Sequence, residues 1–86
     1  MEPYYHTLHI IYQIANYDAC PSTYLCSPHQ ILLRHTESWS TIEKHLELLN
    51  IEKLIVIKKL DMVAISITPK GIEKAKTLKN EYLNDN

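Results

Sequence analysis

Residues 40–71 decide the fold, and they read STIEKHLELLNIEKLIVIKKLDMVAISITPKG. Apolar residues at i, i+4 and i+7 from Ile42 give the first part the pattern of an amphipathic helix. The period then changes to two, because a β-branched run at 54–57 is followed by alternating residues at 63–68. Thr68-Pro69 is typical of a helix start, where threonine caps and proline suits the first turn. The stretch therefore predicts a helix, a β-hairpin and a second helix, in that order.

The helix pair before the hairpin is bounded by capping signals. Ser40 and Glu43 have the spacing of a capping box, so we predict a helix over 40–51 that begins at Ser40. Upstream, Ser27-Pro28 predicts another helix over 28–35. The short connection between these two helices is typical of a helix-turn-helix. We place the hairpin at 54–68, with a turn of about three to five residues because no Asn-Gly is present, and the last helix at 69–83.

The first helix is predicted over 4–17, and its apolar surface is unusually wide. Its polar residues form one narrow stripe, so apolar residues cover more than one side. Because so short a chain offers one side to its own core, the second side suggests a twofold copy of the chain. The predicted dimer interface on this helix comprises Tyr5, Ile10, Ile14 and Tyr17.

Length and charge exclude several classes of protein. The chain has 86 residues, room for one small domain without a separate catalytic domain, and a single glycine, which excludes Gly-rich phosphate loops. The net charge of −1 argues against an unspecific polyanion binder, although all nine basic residues fall within 34–86. No apolar run is long enough to span a membrane, and no signal-peptide pattern is present, so a cytoplasmic protein is expected.

The ordered elements resemble the winged helix-turn-helix domains of bacterial MarR- and PadR-type regulators over roughly residues 27–83. The resemblance is carried by 40–49 (STIEKHLELL), 53–55 (KLI) and 65–71 (ISITPKG). The family has a Ser/Thr-led recognition helix, a Gly-Leu-Ile start to the wing and a Leu/Ile-Thr-Pro-Lys-Gly exit. Here Lys53 stands in place of the glycine, and the wing tip at 58–62 has no arginine. The resemblance implies one α+β, mainly α, winged-helix domain over 1–86.

The resemblance also implies a function, namely a transcriptional regulator that binds double-stranded DNA as a homodimer. In the family the last helix joins the first in the dimer interface, which adds Tyr82 to the predicted interface. The start of the second helix of a helix-turn-helix contacts base edges in the major groove, and a dimer places two such helices about 34–36 Å apart. Carried over to this chain, the base-reading residues are Ser40, Thr41, Lys44 and His45. The candidate phosphate contacts are Arg34, Lys58 and Lys59. No effector domain, cofactor or catalytic activity is expected.

Other roles follow from other residues. Cys20, Cys26, His29 and His35 suggest zinc, but the cysteines are separated by five residues where structural sites have two to four, so we predict no metal site. The alternatives are that the cysteines are small buried hydrophobic residues or a redox-sensitive pair. No motif places an orienting group for Cys-His or Ser-His catalysis. The main rival function is a winged-helix module for protein–protein contact, favoured by the acidic residues of helix 40–51. A small-molecule sensor using the tyrosine-rich first helix is a third possibility.

Overall fold

The computed structural model describes residues 3–59 and 61–84, with side chains described up to residue 78. Within these ranges the chain forms four α-helices and a two-stranded antiparallel hairpin, so the predicted α+β, mainly helical class is confirmed. A short 3₁₀ turn, Pro21–Thr23, lies between the first two helices. The elements in chain order are α1 (Pro3–Ala15), α2 (Pro28–Leu33), α3 (Trp39–Ile51), β1 (Ile55–Lys59), β2 (Val63–Ile67) and α4 (Pro69–Asn84).

The helix starts were predicted with mixed success. Ser27 caps α2 in a capping box with Gln30, as expected for a serine before proline. Thr68 caps α4, since its Oγ1 accepts the Gly71 N–H at 2.9 Å. The capping box predicted at Ser40 is wrong, because α3 begins at Trp39 and its N-cap is Ser38. The half-buried Trp39 ring packs against the core, and this packing favours the earlier start.

The hairpin pairs Ile55 with Ile67 at its base and Lys59 with Val63 at its far end. A further residue joins it from the segment before α2: Cys26 and Ile65 exchange both backbone hydrogen bonds, at 2.7 and 2.8 Å. Strand β2 therefore lies between β1 and the Cys26 backbone. The chain from α1 to α2 is thereby fixed to the same strand that leads into α4.

Helix α1 is the centre of the molecule, which corrects the predicted dimer interface. It packs against α2, α3, α4 and β2, so both of its apolar sides face the chain's own core. Ile10 and Ile14 are 3% and 4% exposed and offer no surface to a second copy. The prediction counted one core side for α1 because it treated the helix as peripheral. The surrounding helices and the hairpin cover the second side instead.

A left-handed residue ends α3 and turns the chain into β1. Lys53 has φ 62°, which falls in the region that favours glycine. The Lys53 N–H donates to the Asn50 carbonyl and the Leu54 N–H donates to the Leu49 carbonyl, each at 3.0 Å. These two bonds make a Schellman motif, which satisfies carbonyls at the helix end. The motif fixes the angle between α3 and the hairpin.

The start of α4 is pressed against this same turn. Thr68 Oγ1 donates to the Lys53 carbonyl at 2.8 Å, and the Thr68 N–H donates to the Leu54 carbonyl at 3.0 Å. A Cβ atom at Gly71 would overlap the Leu54 carbonyl oxygen and lie 2.8 Å from Ile67 Cγ1. Gly71 therefore permits a close approach of α4 to the backbone of Leu54. We call Lys53, Leu54, Thr68 and Gly71 the backbone junction.

Candidate functional site

Helix α3 presents one continuous exposed face. Ile42, Leu46 and Leu49 are buried, and the residues opposite them are exposed. At about 100° per residue, four exposed residues at the centre of this outward face fall within roughly 60° of arc around the helix axis. Glu43 and Leu48 flank it on either side. The central line, which we call the α3 face, consists of Ser40, Lys44, Glu47 and Ile51.

The two halves of the α3 face differ in chemistry. Three hydroxyls lie close together at the N-terminal half: Ser38 Oγ is 3.2 Å from both Ser40 Oγ and Thr41 Oγ1. Lys44 is exposed on this half, beside Glu43 and Glu47. The C-terminal end carries exposed apolar side chains: Ile51 on the face and Leu48 beside it are 74% and 43% exposed. Hydrogen-bonding groups and exposed apolar surface therefore follow one another along a single helix.

His45 is directed inward, which removes it from the predicted base-reading set. Its Nδ1 is 2.8 Å from the Oγ1 of Thr7 on α1. Its ring centroid is 6.1 Å from that of His35. The resemblance placed His45 among the base-reading residues by its position in the helix, whereas its side chain contacts α1. The hydroxyl of buried Thr7 gives the imidazole a partner across the helix interface.

The predicted phosphate contacts are all exposed but do not share one surface. Lys58 and Lys59 are consecutive in β1, so their side chains point to opposite faces of the hairpin. A partner that binds one face of the hairpin can therefore contact only one of these two lysines. Arg34 follows α2 and lines an open cleft of about 400 Å³ with side chains of α1 and the turn after it. The cleft is also lined by His9, Tyr12, Gln13, Asn16 and Tyr17.

The remaining dimer-interface residues lie in different surroundings. Tyr17 lies beyond the end of α1 and is 87% exposed. Tyr5 is half-buried, its hydroxyl donates to Glu52 Oε1 at 3.1 Å, and Lys74 Nζ lies 4.7 Å from the centre of its ring. Tyr5 therefore links α1 to the end of α3 and to α4 in the same chain. The side chain of Tyr82 lies outside the described residues.

Thr7 and His35 form a polar site that the sequence reasoning missed. Thr7 is completely buried and its Oγ1 is 2.8 Å from His35 Nε2 as well as from His45 Nδ1. The signal was present in the sequence: Thr7 is three and seven residues before Ile10 and Ile14, on the apolar side of α1. A hydroxyl on a buried face requires hydrogen-bond partners. The partners themselves, in the turn after α2 and on α3, are not visible in the pattern.

The cysteines stand apart in exposure. Cys20 is exposed, whereas Cys26 is buried in its bridge to β2, and burial raises the pKa of the Cys26 thiol to about 11. A thiol with so high a pKa is a poor nucleophile and a poor metal ligand at neutral pH. Among residues 3–59 and 61–84, no group of three or more His, Cys, Asp or Glu side chains is arranged to hold a metal ion.

Two further observations concern membrane spans and similarity to known proteins. In the described part of the chain, none of the helices has the length and apolar character needed to cross a bilayer. Comparison with protein-family models, with curated proteins and with solved structures finds no match.

Proposed function

We propose that this chain is a winged-helix DNA-binding module of the MarR/PadR type. The observation that carries the proposal is the connection of elements: α2, a short turn, α3 and then an antiparallel hairpin that returns to the core through α4. In a helix-turn-helix the second helix lies in the major groove of DNA. A hairpin directly after that helix is placed to contact the DNA backbone. Helix α3 would be the recognition helix and β1–β2 the wing.

The family-like residues support this interpretation because they form one structural unit. Lys53 occupies the position where the family has glycine, and its φ of 62° is the conformation for which glycine is favoured. Thr68 and Gly71, from the Thr-Pro-Lys-Gly segment, contact the backbone of Lys53 and Leu54. Two of the three segments on which the resemblance rests are therefore joined in the backbone junction.

DNA contact would use the N-terminal half of the α3 face. Ser40 and Thr41 offer hydroxyls that bond to bases or phosphates, and Lys44 reaches guanine or a phosphate. One of Lys58 and Lys59 would meet the backbone from the wing. Glu47 lies on the same line of α3 and repels phosphate, so the contact ends near Lys44.

The test is selection of duplex DNA from a random pool, followed by titration at several salt concentrations. We expect sequence-selective binding, and removal of Lys44 (K44A) should lower the slope of log K against log salt by about one. The matched control is K76A, which removes an exposed lysine from α4. Absence of any selective duplex at micromolar protein would contradict the proposal.

Protein–protein contact through α3 is the second candidate, and a specific observation favours it. Lys44 shares its exposed face with Glu43 and Glu47, and the face ends in exposed Leu48 and Ile51. A face of mixed charge with an apolar end is unlike a surface that binds polyanions and more like a protein interface, which has an apolar centre and a polar rim. Self-association is its simplest form. Sedimentation of the wild type and of I51Q tests it: a dimer that I51Q dissociates supports this candidate.

A homodimer is also part of the DNA-binding proposal, now without Ile10 and Ile14. Tyr17 remains exposed and available to a second copy. A dimer that survives I51Q but dissociates in Y17S would support assembly away from α3, which leaves both α3 faces open to DNA half-sites. A monomer at all concentrations used for DNA binding would contradict the dimeric arrangement.

A further inference from the structure

Three elements meet at the buried hydroxyl of Thr7. Thr7 belongs to α1, His35 to the turn between α2 and α3, and His45 to α3. Both imidazoles lie 2.8 Å from Thr7 Oγ1, and no part of Thr7 is exposed. We call these three residues the Thr7 cluster. It is a buried polar contact in the packing of α1 against α3.

The hydrogen bonds determine where the protons lie. The Glu37 backbone N–H donates to His35 Nδ1 at 3.3 Å, so this nitrogen carries no proton and Nε2 carries one. His35 Nε2–H therefore donates to Thr7 Oγ1. The Thr7 hydroxyl in turn donates to His45 Nδ1, which must be the unprotonated nitrogen of its ring. When both imidazoles are neutral, each of these three hydrogen bonds has one donor and one acceptor.

Proton uptake breaks the order of these bonds. A second proton on His45 turns Nδ1 into a donor, and Thr7 then faces two N–H groups and loses the acceptor for its own proton. A second proton on His35 opposes the Glu37 N–H in the same way. Because Thr7 is fully buried, water does not replace the lost partners at this position.

The charged groups around the cluster act in both directions. On α1, His6 lies with its ring centroid 5.1 Å from that of His35. Burial is the largest effect and lowers the pKa of both His35 and His45, and His6 lowers both further. The Glu37 carboxylate, in the turn, raises both pKa values. His45 also lowers the pKa of His35. The balance at both rings favours the neutral imidazole.

We infer that the Thr7 cluster is a pH-sensitive contact that holds the turn before α3, and the start of α3, against α1 at neutral pH and releases them on acidification. The inference concerns the free chain, so it stands whatever α3 binds. The residues immediately beyond the turn include Ser40 and Thr41, so a change in the turn alters the presentation of the N-terminal half of the α3 face.

Trp39 provides a built-in reporter for this movement. It is the single tryptophan of the chain, the first residue of α3, and half-buried against the core. We expect its emission maximum to shift to longer wavelength as the pH falls from about 8 to about 5, with the far-UV circular dichroism retained. The midpoint should lie below the ordinary histidine value of 6.5. The emission wavelength is the readout, since quenching by a nearby imidazolium changes intensity alone.

Variants that keep the two hydrogen bonds to Thr7 but cannot titrate isolate the cluster. Glutamine places its amide where His35 Nε2 lies, and asparagine places its amide where His45 Nδ1 lies, so the double variant H35Q/H45N should lose the shift of Trp39 emission. The control H29Q removes an exposed histidine from α2 and should keep the shift. H6Q should move the midpoint to higher pH, because it removes a positive charge beside His35.

Equilibrium unfolding gives a second readout. Both pKa values are lowered in the folded state, so the unfolded chain binds protons more tightly, and stability is complete above about pH 6.5 and lost as pH falls through the folded values. The unfolding constant should rise by up to about tenfold per pH unit for each histidine in this window. A Trp39 shift that persists in H35Q/H45N would overturn the inference. If that variant does not fold, a pKa above 6.5 for both histidines in the wild type, measured by NMR, overturns it equally.

Discussion

Helix α3 is held at two places by different chemistry. At its C-terminal end, the backbone junction relies on main-chain hydrogen bonds, the Thr68 hydroxyl and the close approach of Gly71. Towards its start, the Thr7 cluster relies on two imidazoles and one hydroxyl. The hydrogen bonds of the first contact use no titratable side chain, whereas those of the second use two. Acidification therefore acts on one end of the candidate recognition helix and leaves the other fixed.

The largest expected effect tests the backbone junction. We expect G71A to destabilise the fold by about 3 kcal/mol or more, because its Cβ meets the Leu54 backbone, which cannot move aside as a flexible side chain does. Urea unfolding measures the change. Glycine to alanine in an unconstrained helix stabilises by roughly 0.5–1 kcal/mol, so the sign alone distinguishes the two outcomes. K76A, an exposed position of α4, is the control and should change stability by less than about 0.5 kcal/mol.

The next effect tests the Thr7 cluster. Valine has the shape of threonine without the hydroxyl, so T7V leaves His35 Nε2 and His45 Nδ1 without this partner. We expect a loss of about 2 kcal/mol at about pH 8, from urea unfolding. The loss should be smaller at about pH 5, where the wild type has already lost the contact. An equal loss at both pH values would show that the hydroxyl is not linked to imidazole titration.

A gain in stability is expected at Lys53. A side chain in the left-handed region costs roughly 1–2 kcal/mol, part of which the greater freedom of glycine in the unfolded chain offsets. K53G should therefore stabilise the fold by about 0.5–1 kcal/mol in urea unfolding. K53A keeps the Cβ atom and should show no comparable gain. Equal stability of the glycine and alanine variants would contradict the strain assigned to this turn.

The smallest effect concerns the tie between α1 and the end of α3. Y5F removes the donor to Glu52 Oε1 in a half-buried place and should cost about 1 kcal/mol. Y17F, at an exposed tyrosine, is the matched control and should leave the unfolding midpoint unchanged. A pH-independent loss in Y5F would agree with the comparison, because His35 and His45 take no part in this contact.

The sequence predicted the order of elements well because each is marked by local signals. The caps at Ser27 and Thr68 and the change of period after residue 53 depend on neighbouring residues alone. The prediction that α3 begins at Ser40 was wrong because Ser38, Ser40 and Thr41 are equivalent as local helix-start signals. The tertiary packing of Trp39 distinguishes them. Tertiary contact also decides the burial of Ile10 and Ile14 and the inward direction of His45, so the pattern of one helix could not predict either.

The proton positions in the Thr7 cluster are the most direct test of this account. Imidazole nitrogen shifts of the wild type, assigned at about pH 8 and followed to about pH 5, report both tautomer and pKa. We expect His35 and His45 to be neutral with the proton on Nε2, and both to titrate below 6.5. A proton on Nδ1 of either cluster histidine at about pH 8, or titration of both above 6.5, would contradict the pH-sensitive attachment of α3 to α1.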